Sequence, residues 1–294
     1  MNNKLECDKI SDNIINKQSK KINFLGKGTY GIVFNGELDK KNIAIKFISK
    51  KTKYKNDSNH PANIEYNLGK DLKNKILDTN ISPHINNIYK NNDCDLVRIT
   101  DDIMLENEHY KKWFDESQKL IENKTIYPNV KIIYGELAST DLKKYILENY
   151  SSLTFNDHLI LFFQFCYSLV CIQYYFKNFR HNDIKPNNIL VELIETNENT
   201  AKNYNKYILF GKEYYIPQTK YILKIYDLDM AYTKDHKNYK VKLSHKGPLK
   251  KIGLSSKYNP VYDLHEYMNF YLRDFHTNNK NILPIEVVKL FKKL

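Results

Sequence analysis

Residues 181–190, HNDIKPNNIL, place one carboxylate, one lysine and one side-chain amide at fixed spacing between a long apolar stretch and a short one. Asp183 can accept the proton of an attacking hydroxyl. Lys185, two residues on, can neutralise charge on a transferring phosphoryl group. Asn188, five residues after the aspartate, can offer its amide oxygen to a magnesium ion. These are the parts that phosphoryl transfer uses, a reaction governed by positioning and electrostatics. The competing reading is a capped turn rich in Asn and Asp; the spacing and the apolar flanks favour chemistry.

Other stretches must position these groups. Residues 22–34 run as an apolar strand into Gly26, Gly28 and Gly31 and leave as Ile32, Val33 and Phe34, a second strand. Glycines let the backbone approach phosphates with no Cβ in the way. Dinucleotide sites use the same glycine spacing but continue into a helix, whereas this chain continues as strand. Residues 42–48, NIAIKFI, alternate as a strand carrying Ala44 and Lys46. Pro61 opens a helical pattern reaching about Leu77, with Glu65 nineteen residues after Lys46. An apolar strand over residues 221–226 ends in Asp227, Leu228 and Asp229. Taken singly, Lys46 reads as a strand-edge lysine, Glu65 as a solvated helix residue and Asp227 as part of a turn.

The 181–190 stretch resembles the catalytic loop of Ser/Thr protein kinases, H-R-D-x-K-P-x-N, with Asn182 where most have arginine. The resemblance extends in order through the glycine hairpin, the V-A-I-K-like strand, Glu65, Asp227 and Asp263, and covers residues 21–275. Leu228 and Asp229 stand where that family has Phe and Gly, and no A-P-E follows. The layout is similar to haspin-like kinases and to kinases of large DNA viruses. A composition heavy in Asn, Lys, Ile and Tyr, as in AT-rich genomes, supports the viral part.

The resemblance implies an α+β, bilobal protein-kinase-like fold, with a β-rich small lobe and a mostly helical, abbreviated large lobe. It implies an N-terminal extension over 1–20, a small lobe over 21–137 with a helical insertion at 101–127, and a large lobe over 138–294 with an insertion at 192–219. It implies ATP and Mg2+ as cofactors. Gly26, Lys27, Gly28, Thr29, Tyr30, Gly31, Val33, Ala44, Lys46, Glu65, Glu136 and Ala138 would hold the nucleotide, with Glu136 and Ala138 in the hinge against adenine. Asn188 and Asp227 would hold the metal. Asp183 and Lys185 would be catalytic, and Asp263 would brace the loop. Substrates would be proteins with Ser or Thr acceptors, since Lys185 follows the Ser/Thr pattern. Without an arginine at 182, activity should not require a phosphate on the activation segment. The alternatives are a small-molecule kinase of the choline or aminoglycoside type, which shares H-x-D-x-x-x-x-N, and a pseudokinase scaffold.

Local patterns supply the remaining expectations. Strands are expected over 94–100 and 130–134, helices over 105–123, 141–149 and 156–178, and an extra hairpin turning at Gly211 and Lys212. The first twenty residues are expected to be a loosely docked extension with no secretory signal. Residues 158–176 are nearly long enough to span a membrane, but Gln164, Ser168 and Gln173 interrupt them, so they read as a core helix and not an integral membrane segment. The net charge of +12 comes from scattered lysines, and no motif indicates nucleic acid. Cys7, Cys94, Cys166 and Cys171 form no C-x-x-C pair, which points to a reducing compartment without zinc. The expected location is cytoplasmic, meaning the host cytoplasm and the virion for a viral protein.

Overall fold

The computed structural model describes residues 7, 10–16, 21–28, 31–54, 57–194, 204–242, 254–277 and 281–294. They divide into two units, Met1–Lys70 with Asn87–Leu137, and Asp71–Asn86 with Ala138–Leu294.

The first unit is built on an antiparallel sheet ordered β1-β2-β3-β4-β6-β5. Its elements are α1 (Ile10–Ile14), β1 (Ile15–Asn16), β2 (Lys21–Lys27), β3 (Gly31–Leu38), β4 (Lys41–Ile48), α2 (Pro61–Leu72), β5 (Ile88–Asp95), α3 (Leu96–Ile99), α4 (Asp102–Leu105), α5 (Glu108–Glu122) and β6 (Asn129–Glu136). The period of two in β4 buries Ile43, Ile45 and Phe47 on one face and leaves Ala44 and Lys46 on the other. Helix α5 covers the apolar face. Tyr110 and Trp113 lie 5.8 Å from Phe34 and 6.0 Å from Phe47, ring centre to ring centre. Asn107 starts this helix by accepting the His109 and Tyr110 amides at 3.1 Å. Lys27 also pairs with Glu116 of α5 at 2.8 Å.

Three expectations change here. The strand expected over 94–100 stops at Asp95, whose carboxylate accepts the Arg98 amide at 3.2 Å and so caps α3. The N-terminal segment is not loosely docked where it is described, because Ile10 and Ile14 are buried in the same core as Ile32 and Phe34. Cys7 is disulfide-bonded to Cys94, 87 residues away, a pairing that the cysteine spacing did not suggest. A pairing over that separation leaves no mark in local spacing.

The second unit contains β7 (Thr140–Asp141), α6 (Leu142–Asn149), α7 (Phe155–Tyr175), β8 (Ile189–Leu193), β9 (Tyr204–Leu209), β10 (Lys212–Pro217), β11 (Tyr221–Ile225), α8 (Tyr239–Lys242), α9 (Tyr262–Leu272) and α10 (Ile285–Lys293). Thr154 and Asp157 form a reciprocal capping box at the start of α7. This is the one helix among the described residues long and apolar enough to cross a membrane, and half of that stretch is buried in the protein. The three polar residues that interrupt it bond to neighbouring chain. Gln164 accepts the Leu223 amide at 2.8 Å, Ser168 donates to the His84 carbonyl at 3.0 Å and Gln173 donates to the Pro260 carbonyl at 2.9 Å. Strands β11, β8 and β7 form a three-stranded antiparallel sheet beside it.

The extra hairpin β9–β10 forms, but it turns at Phe210 and Gly211, both at positive φ. Such a pair suits a two-residue turn, and it moves the turn one residue earlier than expected. Tyr207 fastens the hairpin: its hydroxyl lies 3.1 Å from Nε2 of the buried His84, and the two rings stack. Burial lowers the His84 pKa to about 4, so it serves as a neutral hydrogen-bonding group.

Candidate active site

The glycine hairpin of the first unit shows what each glycine is for. At Gly31 an added Cβ would meet the Phe47 carbonyl oxygen at 2.3 Å, so only glycine fits between β3 and β4. Among the described residues, nothing lies within 4 Å of such an atom at Gly26, and at Gly28 the Gly31 carbonyl alone comes close, at 3.9 Å. That open space can admit a phosphate to the backbone. Thr29 and Tyr30 lie outside the described residues.

Val33 is registered opposite Lys46, and Lys46 opposite Ile133. Opposed residues share a face, so Val33, Ala44 and Lys46 line the face of the sheet away from α5. Lys46 Nζ donates to Glu65 Oε1 at 2.7 Å, and the Glu65 side chain is only 6% exposed. The pair fixes an ammonium whose flexible stem would otherwise leave it mobile. Glu136 ends β6, where its amide donates to the Asn87 carbonyl at 2.8 Å and its carboxylate accepts the Asn87 amide at 3.2 Å. The Glu136 amide is therefore engaged by the neighbouring strand segment. Ala138 follows the strand and is half-buried.

The second unit gathers the groups of the 181–190 stretch. Lys185 Nζ donates to Asp183 Oδ2 at 2.8 Å and to Oδ1 at 3.0 Å. Asn188 Nδ2 donates to the same Oδ2 at 2.8 Å. Pro186 opens a short 3-10 turn, Pro186–Asn188, that brings Asn188 back to the aspartate. The backbone is held from α9. Asp263 Oδ2 accepts the His181 amide at 2.9 Å and Oδ1 accepts the Asn182 amide at 3.1 Å. Asp263 is fully buried, and that burial raises its pKa, while His181 and the two amides oppose the rise. His181 Nε2 donates to the Tyr226 carbonyl at 2.9 Å, tying the loop to the residue before Asp227.

Asn182 and Asp227 both adopt left-handed backbone, with φ of 64° and 63°. Asn and Asp tolerate that region best after glycine, and such strain collects at functional sites. Asn182 uses its amide on the following segment, donating to the Met230 carbonyl at 3.2 Å and accepting the Ser255 amide at 3.5 Å.

Two groups were not singled out from sequence. Glu266 accepts the Ile184 amide at 3.1 Å, and its spacing of three from Asp263 on one helix was a readable signal. Lys240 lies among the carboxylates of Asp229, Asp183 and Asp227; burial lowers its pKa and these charges oppose the fall. Asn238 sets that approach by donating to the Asp229 carbonyl at 2.7 Å and accepting the Lys240 amide at 3.1 Å. No local pattern marks Lys240.

The donor set suits a hard cation. Asn188 has its Nδ2 engaged with Asp183, and its amide oxygen and the Asp227 carboxylate are the groups that would hold a metal. Magnesium takes few protein oxygens and keeps water and phosphate as its other ligands. Among the described residues no group of three or more His, Cys, Asp or Glu could hold a metal by itself.

No protein-family model matches the chain. A protein of Acanthamoeba polyphaga mimivirus named "Putative serine/threonine-protein kinase R400" is 28% identical over 268 residues, 85% of this chain and 55% of the relative. The chain thus spans about half the length of that relative. The similarity supports a kinase-like relationship, and the mixed helix and antiparallel sheet agree with an α+β class.

Proposed function

We propose that the chain transfers the γ-phosphoryl group of Mg-ATP to Ser or Thr hydroxyls of protein substrates. The observation that carries this reading is the cluster at Asp183, where Lys185 Nζ and Asn188 Nδ2 both sit 2.8 Å from Oδ2. A carboxylate held this way is aimed before substrate arrives, which is how positioning lowers a barrier. The acceptor hydroxyl oxygen attacks phosphorus, the bond to the ADP oxygen breaks, and the hydroxyl proton passes to Asp183. Lys185 steadies the charge on the transferring group. Lys46, fixed by Glu65, binds the α- and β-phosphates, and the open backbone at Gly26 and Gly28 covers them. Asn188 and Asp227 would hold magnesium, which neutralises phosphate charge when bound.

The mimivirus relative's name supports phosphotransfer in general and agrees with a viral source. The haspin-like layout, the protein acceptors and a cytoplasmic location belong to the proposal. The test is phosphate transfer from labelled Mg-ATP, offered casein, histone, choline and an aminoglycoside side by side. Label on Ser or Thr of protein supports the reading. Label on choline or the aminoglycoside replaces it with a small-molecule kinase, and nucleotide binding without transfer makes the chain a scaffold.

A further inference from the structure

Two carboxylates of α9, three residues apart and so on one helical face, hold the backbone on both sides of Asp183. Asp263 takes the amides of His181 and Asn182, and Glu266 takes the amide of Ile184 at 3.1 Å. The residue bearing the reactive carboxylate is therefore clamped from before and after. Only the clamp after it is made by a half-buried group. We propose that Glu266 is a positioning residue for Asp183, acting through the Ile184 amide, and that its ionisation couples phosphotransfer to pH. The proposal rests on the phosphotransfer reading above and deepens it.

The groups facing Glu266 support this. Burial pushes its pKa up to about 7 from an ordinary 4.5, and the charges of Asp263 on its own helix and Asp183 on the loop push the same way. The Ile184 amide and Arg180 oppose them. Tyr262, one helical turn earlier, also lies close enough to feel the Glu266 charge. An ionised Glu266 accepts the Ile184 amide in a charge-assisted bond, stronger than the neutral one. Protonation weakens that bond, so transfer should rise with pH through the neutral range.

The experiment compares wild type with Glu266→Gln, which keeps an acceptor but cannot ionise. It reads kcat and KM between pH 5.5 and 8.5, about 1.5 units on either side of the Glu266 value, and the Ile184 amide resonance over the same range. The expected result is a wild-type kcat that climbs near pH 7 and a variant about tenfold slower at the alkaline end, with the climb gone and the KM for ATP unchanged. The Ile184 amide shift should titrate near pH 7 in wild type and stay flat in the variant. An Ile184 resonance that is flat in wild type overturns the proposal, as does a variant with the wild-type pH profile. A wild type that transfers nothing while Ile184 still titrates overturns the phosphotransfer reading and leaves the Glu266–Ile184 clamp standing.

Discussion

Asn188 reaches back to Asp183 twice, donating from Nδ2 to the carboxylate Oδ2 at 2.8 Å and to the backbone carbonyl at 2.9 Å. The two residues are five apart, and the intervening Pro186 turn closes that distance. Asn188→Ala removes both bonds and the candidate metal oxygen at once. The rate of phosphate transfer should drop by about a hundredfold, the scale at which misplaced groups lose catalysis. Measured at saturating ATP and magnesium, an unchanged rate would contradict the role given to this amide.

Asn182 joins the 181–190 loop to Met230 on one side and Ser255 on the other through its neutral side-chain amide. Protein treated with a phosphatase should therefore keep its full transfer rate. Loss of activity after that treatment, with recovery on rephosphorylation, would show that the amide does not do this job.

Asp93 on β5 pairs with both Lys131, at 2.8 Å, and Lys50, whose side chains are 6% and 7% exposed. Burial works against the Asp93 charge, but hydrogen bonds from the two lysines hold its pKa below the ordinary 3.8. A depressed carboxylate stabilises the fold above its unfolded-state pKa, and that contribution fades as pH falls through the folded value. Asp93→Asn should destabilise the protein by about 1–2 kcal/mol, less than for a fully buried pair because Asp93 is 38% exposed. Acid denaturation below about pH 4 should be shallower in the variant than in wild type. Identical acid transitions would rule the brace out.

The Cys7–Cys94 bond closes a loop of 87 residues over the core that buries Ile10 and Ile14. Loop-closure entropy over that length is worth about 4.6 kcal/mol at most. Reductant should lower the melting temperature of wild type and leave Cys7→Ser unaffected. The other two thiols stay reduced and inert, since burial pushes Cys166 up to about 12 and Cys171 up to about 11. Four free thiols in the native protein, titrated without reductant, would contradict the pairing.

What could be read from sequence was what neighbours along the chain decide. The glycine hairpin, the alternation around Lys46, the α7 helix and the Asp183–Lys185–Asn188 spacing are local patterns, and the structure forms each of them. The Lys46–Glu65 pair needed one step more, a helix packed beside a strand, and the order of motifs supplied it. Contacts over long separations left no such mark. Cys7 meeting Cys94, Lys240 meeting three aspartates, and Tyr207 meeting His84 depend on how segments pack. The strand expected through Thr100 failed for a local reason, because Asp95 is a good helix cap and wins over the apolar run that follows.

The most direct test of the central claim is the single-turnover rate of phosphate transfer from Mg-ATP in Asp183→Ala beside wild type, with nucleotide binding measured on both. The expected result is transfer to Ser or Thr in wild type and at least a hundredfold less, about the loss of one aimed base, in the variant with nucleotide affinity retained. Equal transfer in the two proteins would contradict the assignment of Asp183 as the base.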